Sequence, residues 1–320
     1  MFVVAGEALM DVFTGAATPT GIALDARIGG SPLNVAIGLA RLGQRVAFLG
    51  GLSSGALGQR LEAALQAEGV SLECVHRSAA PTTLGLVGLD AHGVADYAFY
   101  GEGAADRSLP LAALEHLPAT AVALHVGSYT MVVGETARTQ RTLVDQVRGR
   151  LLVSYDPNLR LNVEPDIEIW RGTLAWMLPR ADVLKLSDED LGLLHPGADL
   201  DTLAGQWLAA GTGLVALTRG GEGALAWRLR PGSTTEIETF EIAPVKVQVV
   251  DTVGAGDTFQ AALLTRLAEL GAATPAALRA LSAEGVRDAL GFAARAAAIT
   301  CSRRGADLPR RGDLQPAAGA

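Results

Sequence analysis

The chain has 320 residues, of which 49% are apolar and 19% charged, with 38 glycines and only 5% aromatics. That length suits one or two compact units around a large core of Ala, Val, Leu and Ile, and it excludes the low-hydropathy disordered class. With 34 acidic against 26 basic side chains the net charge is −8, which argues against nucleic acid or an anionic membrane surface as a partner, so any phosphate has to be held locally. Lysine is nearly absent: Lys185 and Lys246 are the only two.

Residues 2–5 read as a first strand, because the N-terminus has no basic segment and meets Glu7 almost at once, unlike a signal peptide. Ser31 and Pro32 read as the N-cap and first position of a helix that Gly43 ends. A strand over 45–49 and a helix over 57–68 follow. Later strands fall at 122–126, 151–155, 183–186 and 214–218, separated by helical patterns over 135–148, 167–177 and 200–210. Strand, helix and strand at this spacing predict βαβ units with a mostly parallel sheet. Two stretches, 14–28 and 83–100 with its turn at Ala91, His92 and Gly93, read instead as short antiparallel strands. They predict a small β lid, formed by insertions at about 14–30 and 83–103 in one α/β domain over 1–320. Strands at 225–227, 236–240 and 247–250 precede two Ala-rich helices, 254–270 and 274–299, and the Pro- and Gly-rich tail from 303 is expected to fray. No apolar run approaches the roughly 18 residues of a membrane span, and Cys74 and Cys301 are too few for a disulfide framework. A cytoplasmic protein is expected.

The most informative stretch is Asp251-Thr252-Val253-Gly254-Ala255-Gly256-Asp257-Thr258-Phe259, at the entry of a strongly apolar helix. Glycines there let successive backbone N–H groups approach one anion, and the positive end of the helix dipole adds to them. This is a phosphoryl-sized anion hole made without a lysine. Asp257 sits in the first turn beside it, where a carboxylate can take a proton from an attacking hydroxyl, although an acid in a first turn is by itself an ordinary helix feature.

The nine-residue run resembles the C-terminal signature of the ribokinase-like (PfkB) carbohydrate kinases. Gly29-Gly30-Ser31-Pro32-Leu33-Asn34-Val35-Ala36 is similar to that family's N-terminal signature, and Gly6-Glu7-Ala8-Leu9-Met10-Asp11 to its opening strand. Tyr155-Asp156-Pro157-Asn158-Leu159-Arg160 resembles the segment of the family's bacterial fructokinases after a central strand, and 185–190 its metal-associated loop. The resemblance spans about residues 2–310. It implies a three-layer α/β/α sandwich with a mostly parallel sheet and a β lid, and ATP-dependent transfer of the γ-phosphoryl group to a sugar hydroxyl, with fructose to fructose 6-phosphate as the first expectation.

Carried over by position, the resemblance makes Asp257 the base and gives Gly254, Ala255 and Gly256 the N–H donors for the transferring group. Asp11, Gly30, Asn34, Tyr100 and Arg160 match sugar-binding positions. Lys185, Ser187, Thr218, Gly220 and Gly223, with Gly254 and Gly256, match the ATP side; the last of these loops also reads as a plain hairpin turn. Mg²⁺ is expected with ATP, through water at Asp190, and a monovalent cation such as K⁺ near Asp251 and 299–302. A homodimer through the lid is implied as well.

Two departures bear on the substrate. The family's Asn-x-x-Glu appears as Ser187-x-x-Asp190, one methylene short, and Tyr100 is followed by Gly101 where many relatives carry arginine. Without that cation an acidic sugar lacks its partner unless Arg107 or Arg160 substitutes. A 2-keto-3-deoxygluconate, other small-sugar or nucleoside kinase stays open, as does a non-catalytic sugar or nucleotide sensor on the same fold. A dinucleotide oxidoreductase is disfavoured because no G-x-G-x-x-G follows the first strand, and a P-loop NTPase because neither lysine follows a glycine.

Overall fold

The computed structural model describes residues 1–89 and 95–314. In chain order its strands are β1 (Phe2–Ala5), β2 (Leu9–Thr18), β3 (Gly21–Gly29), β4 (Val46–Leu49), β5 (Gly51–Ser53), β6 (His76–Ser78), β7 (Leu84–Leu89), β8 (Ala95–Tyr100), β9 (Ala123–Gly127), β10 (Leu152–Asp156), β11 (Val183–Ser187), β12 (Leu214–Thr218), β13 (Ala224–Leu229) and β14 (Ile237–Ile242). The helices are α1 (Ser31–Arg41), α2 (Ala56–Ala67), α3 (Gly134–Val147), α4 (Ile167–Met177), α5 (Asp188–Leu194), α6 (Leu200–Ala210), α7 (Ala255–Glu269), α8 (Pro275–Ala280) and α9 (Ala283–Cys301).

Eight strands form one sheet in the order β14-β13-β12-β11-β10-β9-β1-β4, parallel from β12 to β4 and antiparallel at the β13 and β14 edge. Strands buried on both faces read as near-continuous apolar runs, as Phe2–Ala5 and Val46–Leu49 do. Successive side chains serve opposite faces. Phe2 and Val4 belong to one core with Leu33 of α1, Leu263 of α7 and Leu290 of α9, while Val3 and Ala5 belong to the other with Leu143 of α3, Trp170 of α4 and Leu203 of α6. Each fully buried aliphatic side chain contributes about 1.5–3 kcal/mol, so two continuous cores fix the sheet between its helix layers. The ribokinase-like α/β fold expected from the sequence is the fold found.

The second sheet has the order β3-β2-β7-β8. Its hairpins are antiparallel, as expected, but β2 and β7 pair in parallel, and the first hairpin starts at Leu9 rather than near residue 14. The early start matters because it puts Asp11 inside the sheet, opposite Gly85. Strand β3 is mostly exposed, with Ile22 and Leu24 each 60% accessible. The turn expected at Ala91, His92 and Gly93 lies outside the described residues.

Four further expectations are corrected. Ser31 does not cap α1: the N-cap is Gly30 at φ 107°, and the serine, the first helical residue, sends its hydroxyl elsewhere. Residues 247–250 form no strand, and Val249 and Val250 stay 62% and 59% exposed, because β-branched residues make a strand only where a neighbouring strand supplies a ladder. The helix expected over 274–299 is two, since Leu281 turns extended and the Ser282 hydroxyl accepts the Gly285 N–H at 3.1 Å, starting α9 afresh. The tail does not fray through residue 314. Leu308 is buried against Gly38, where a Cβ would lie 2.6 Å from its side chain, Arg41 donates to the Leu308 carbonyl at 2.6 Å, and Arg303 pairs with Asp313 at 3.0 Å.

Candidate active site

The nine-residue run enters α7 through Gly254, at φ 78°, where a Cβ would lie 2.7 Å from that of Ala306. Glycine is required there on both counts. Of the expected donors Gly254, Ala255 and Gly256, Ala255 is corrected: its N–H donates to the Thr252 carbonyl at 3.2 Å, whereas those of Gly254, Gly256 and also Asp257 donate to no group of the chain among the described residues. Three amides at the positive end of a 15-residue helix therefore remain available to an anion.

Asp257 is 8% exposed and fully engaged. The Ser31 hydroxyl donates to its Oδ1 at 2.6 Å and the Asn34 Nδ2 to its Oδ2 at 2.8 Å. Both donors come from the first turn of α1, which packs along α7 because Gly38 lets the Ala261 methyl approach. The sequence marks Asn34 as a polar residue on an otherwise apolar helix start, which the resemblance assigns to sugar; here one N–H of its amide goes to the Asp257 carboxylate.

On the opposite side lies Lys185, the one lysine on a central strand. Its ammonium donates to Asp156 Oδ2 at 2.8 Å, both side chains being buried, and a Cβ on Gly256 would come within 2.9 Å of Nζ. The turn that carries the unpartnered amides is thus backed by a buried cation, so Lys185, expected on the ATP side, lies directly behind a turn that reads in the sequence as an anion hole made without a lysine. Burial alone lowers the affinity of the lysine for its proton, but the carboxylates of Asp156, Asp190 and Asp257 outweigh it and hold the group above its usual value. Asp156 is pushed up to about 6, chiefly by burial, against the pull of Lys185. Its Oδ1 is buried without a partner.

Asp11 reaches the same centre from β2. Its carboxyl fits between two glycines: a Cβ on Gly29 would lie 2.2 Å from Oδ2 and one on Gly85 3.0 Å from Oδ1. Burial and the nearby Asp257 raise it to about 6 against the opposing charge of Arg160. Arg160 itself is folded onto its own loop, donating to Asn158 Oδ1 at 2.8 Å and to the Leu159 carbonyl at 2.7 Å. Gly30 is pressed against Glu7, whose carbonyl would lie 2.8 Å from a Cβ there. Tyr100, at the end of β8, is 63% exposed and makes no hydrogen bond to this group.

The remaining candidates sit at the carboxyl ends of β11 and β12, where open α/β sheets present ligand crevices. Ser187 caps α5 by accepting the Asp190 N–H at 3.0 Å, and Asp190 Oδ1 accepts the Leu159 N–H at 3.0 Å. Thr218 ends β12, and Gly220 and Gly223 make the turn into β13; at Gly223 a Cβ would strike the Ile242 carbonyl at 2.1 Å. The hairpin reading of this loop is therefore correct as geometry. Asp251 accepts the Val253 and Gly305 N–H groups at 3.1 and 2.8 Å; burial opposes them, but these bonds hold its carboxyl below the usual range. Its own N–H donates to the Cys301 carbonyl at 3.2 Å, so 251 and the 299–302 stretch do meet.

Sequence reasoning missed Ser31, Gly29 and Gly85. The last two carry a signal only once the strand register is known. Ser31 was hidden by a competing signal, since a serine before proline at a helix start reads as a cap.

A model of the pfkB family of carbohydrate kinases matches residues 3–311. The chain is 34% identical over 267 residues to a fructokinase of Rhizobium leguminosarum bv. trifolii, covering 83% of this chain and 79% of that protein. It is 32% identical over 283 residues to fructokinase-2 of Solanum lycopersicum, covering 87% and 82%. Among solved structures, the fructokinase with bound ATP from Xylella fastidiosa superposes with a TM-score of 0.84 at 29% identity, covering 98% of this chain and 96% of that one. The fructokinase of Vibrio cholerae O395 in its fructose, ADP and calcium ion bound form gives 0.77 at 25% identity, covering 98% and 97%.

Proposed function

The chain belongs to the pfkB family of carbohydrate kinases, and from that premise we propose that it transfers the γ-phosphoryl group of ATP to fructose, giving fructose 6-phosphate. The observation that carries the reading is a buried carboxylate, Asp257, oriented from α1 and adjoining three unpartnered amides at the start of α7. Phosphoryl transfer asks little covalent chemistry of a protein; it asks for positioning and for charge placed where charge develops. Asp257 is the base that takes the proton of the sugar hydroxyl. The amides of Gly254, Gly256 and Asp257, with the ammonium of Lys185 behind Gly256, stabilise the transferring group. Asp11, Gly30 and Arg160 read the other sugar hydroxyls, with Tyr100 covering them, and Ser187, Thr218, Gly220 and Gly223 line the nucleotide side.

Fructose is preferred over an acidic sugar on the likeness to fructokinases; Arg107 stands against Gly101, where a Cβ would lie 2.6 Å from its Nη2, with its guanidinium 5.3 Å from the centre of the Tyr129 ring, and is the cation that the acidic-sugar arm of the test probes. Among the described residues no three His, Cys, Asp and Glu side chains converge as a metal cage. A hard cation such as Mg²⁺ fits the site as a passenger of the nucleotide, near Asp190 and the free Oδ1 of Asp156, where it would supply neutralisation of phosphate charge. A monovalent cation would sit near Asp251. The four-stranded sheet acts as a lid that closes over the sugar and keeps water out. Its exposed β3 edge, with Ile22 and Leu24, is the face for a homodimer. We assign the protein to the cytoplasm; no helix among the described residues is long and apolar enough to cross a membrane.

The test is ATP turnover against a panel of fructose, other neutral sugars, nucleosides and 2-keto-3-deoxygluconate. Fructose is expected to give the highest kcat/KM, and Asp257→Asn to lose about 10²- to 10⁴-fold in kcat. Turnover with none of them favours a sensor, and a preference for the acidic sugar overturns the fructose assignment.

A further inference from the structure

We propose that Ser31 is a positioning residue for the phosphoryl transfer, allowing Oδ1 of Asp257 to be the oxygen that receives the sugar proton. The two oxygens of that carboxylate have different partners. Oδ2 faces the amide of Asn34, which through Nδ2 can only donate, and so favours a charged oxygen. Oδ1 faces the hydroxyl of Ser31, which donates at 2.6 Å but can equally accept after a rotation about its C–O bond. A proton arriving on Oδ2 would confront the Asn34 N–H. One arriving on Oδ1 meets a partner able to reverse.

The step balances as follows. The sugar O–H bond breaks and its proton passes to Asp257 Oδ1; the freed oxygen forms a bond to the γ-phosphorus, whose bond to the bridging oxygen breaks, leaving ADP with the electron pair. The Ser31 hydroxyl then turns from donor to acceptor and holds the new acid. Lys185, Asp11 and Asp156 also act on Asp257 through their charges, but none of them makes a hydrogen bond to it. The structure carries a second sign of this role. Serine at a helix start normally caps, yet here Gly30 takes the N-cap position and the hydroxyl is left for the carboxylate.

The inference rests on Asp257 as the base, so Ser31→Ala, Ser31→Thr and Asp257→Asn are measured together with fructose and MgATP. Loss of one charge-assisted hydrogen bond predicts that Ser31→Ala lowers kcat about 10-fold or more while both KM values stay within about twofold and the thermal midpoint falls by only a few degrees. Ser31→Thr, which keeps the hydroxyl, recovers most of kcat. A Ser31→Ala kcat within about twofold of wild type, or a Thr variant as slow as the Ala variant, overturns the proposal while leaving the base intact. Full activity in Asp257→Asn overturns the base assignment and this proposal with it.

Discussion

The two large sheets of this protein are built on opposite terms. The parallel strands of the eight-stranded sheet are buried on both faces, and they carry Asp156, Lys185, Ser187 and Thr218 at or near their carboxyl ends. The four-stranded sheet has an exposed edge strand and carries Asp11 on β2 and Tyr100 on β8, on either side of β7 and one register row apart. Under the proposed function, groups that meet the reacting phosphoryl need fixed positions, and strands held by core on both sides fix them, whereas groups that would grip a sugar entering and leaving each cycle belong on a sheet with less holding it in place.

This contrast breaks most sharply at Lys185. Lys185→Met removes the cation behind Gly256 and strands Asp156 as a buried charge, so stability is expected to fall by about 3–5 kcal/mol and kcat by about 10²-fold. The double variant Lys185→Met/Asp156→Asn should regain stability, read by denaturant unfolding, without regaining activity. Recovery of turnover in the double variant would assign the ion pair to folding alone and remove the asymmetry between the sheets.

Asp11 tests the sugar side through pH. Its carboxyl lies at about 6 against an ordinary 3.8, so the folded protein binds this proton more tightly than the unfolded chain; the stabilisation this supplies is fully present below 3.8 and is lost as pH rises through 6. Sugar hydroxyls donate best to the ionised form. The KM for fructose should be flat above about pH 7 and rise as pH falls through 6, while Asp11→Asn gives a raised KM without this dependence on pH and a higher thermal midpoint at neutral pH. A fructose KM that ignores pH in the wild type would separate Asp11 from the sugar. The smallest effect is expected at exposed Tyr100: Tyr100→Ala should raise the fructose KM by about threefold to tenfold and shift stability by less than about 0.5 kcal/mol, with kcat nearly unchanged.

Much of this site could be read before any coordinates. Gly254, Gly256 and Asp257 announce themselves because close approach to a backbone leaves a glycine pattern in consecutive residues, and Asn34 because a polar side chain interrupts an apolar helix face. The pairing of Ser31 with Asp257 spans 226 positions, and a serine beside a proline carries a stronger local message, that of a cap. The cradle of Asp11 by Gly29 and Gly85 depends on strand register, which alternation alone does not fix between distant strands. Likewise 247–250 has the composition of a strand and no neighbour to pair with, and the break at Leu281 lies inside a pattern apolar enough to pass for one helix.

Composition and local order by themselves determined that this acidic, lysine-poor chain folds as a mostly parallel α/β protein and presents a glycine-bearing helix start with unpartnered backbone N–H groups. Only the tertiary structure decided that one of its two lysines stands behind those groups, since the 71-residue separation of Lys185 and Gly256 is closed where the start of α7 meets the Lys185 side chain of β11. The physical reason is range. Helix caps, glycine turns and apolar periodicity act within a few residues and leave their trace in neighbouring letters, whereas a buried ion pair or a hydroxyl on a carboxylate arises from the meeting of elements that only the two cores bring together.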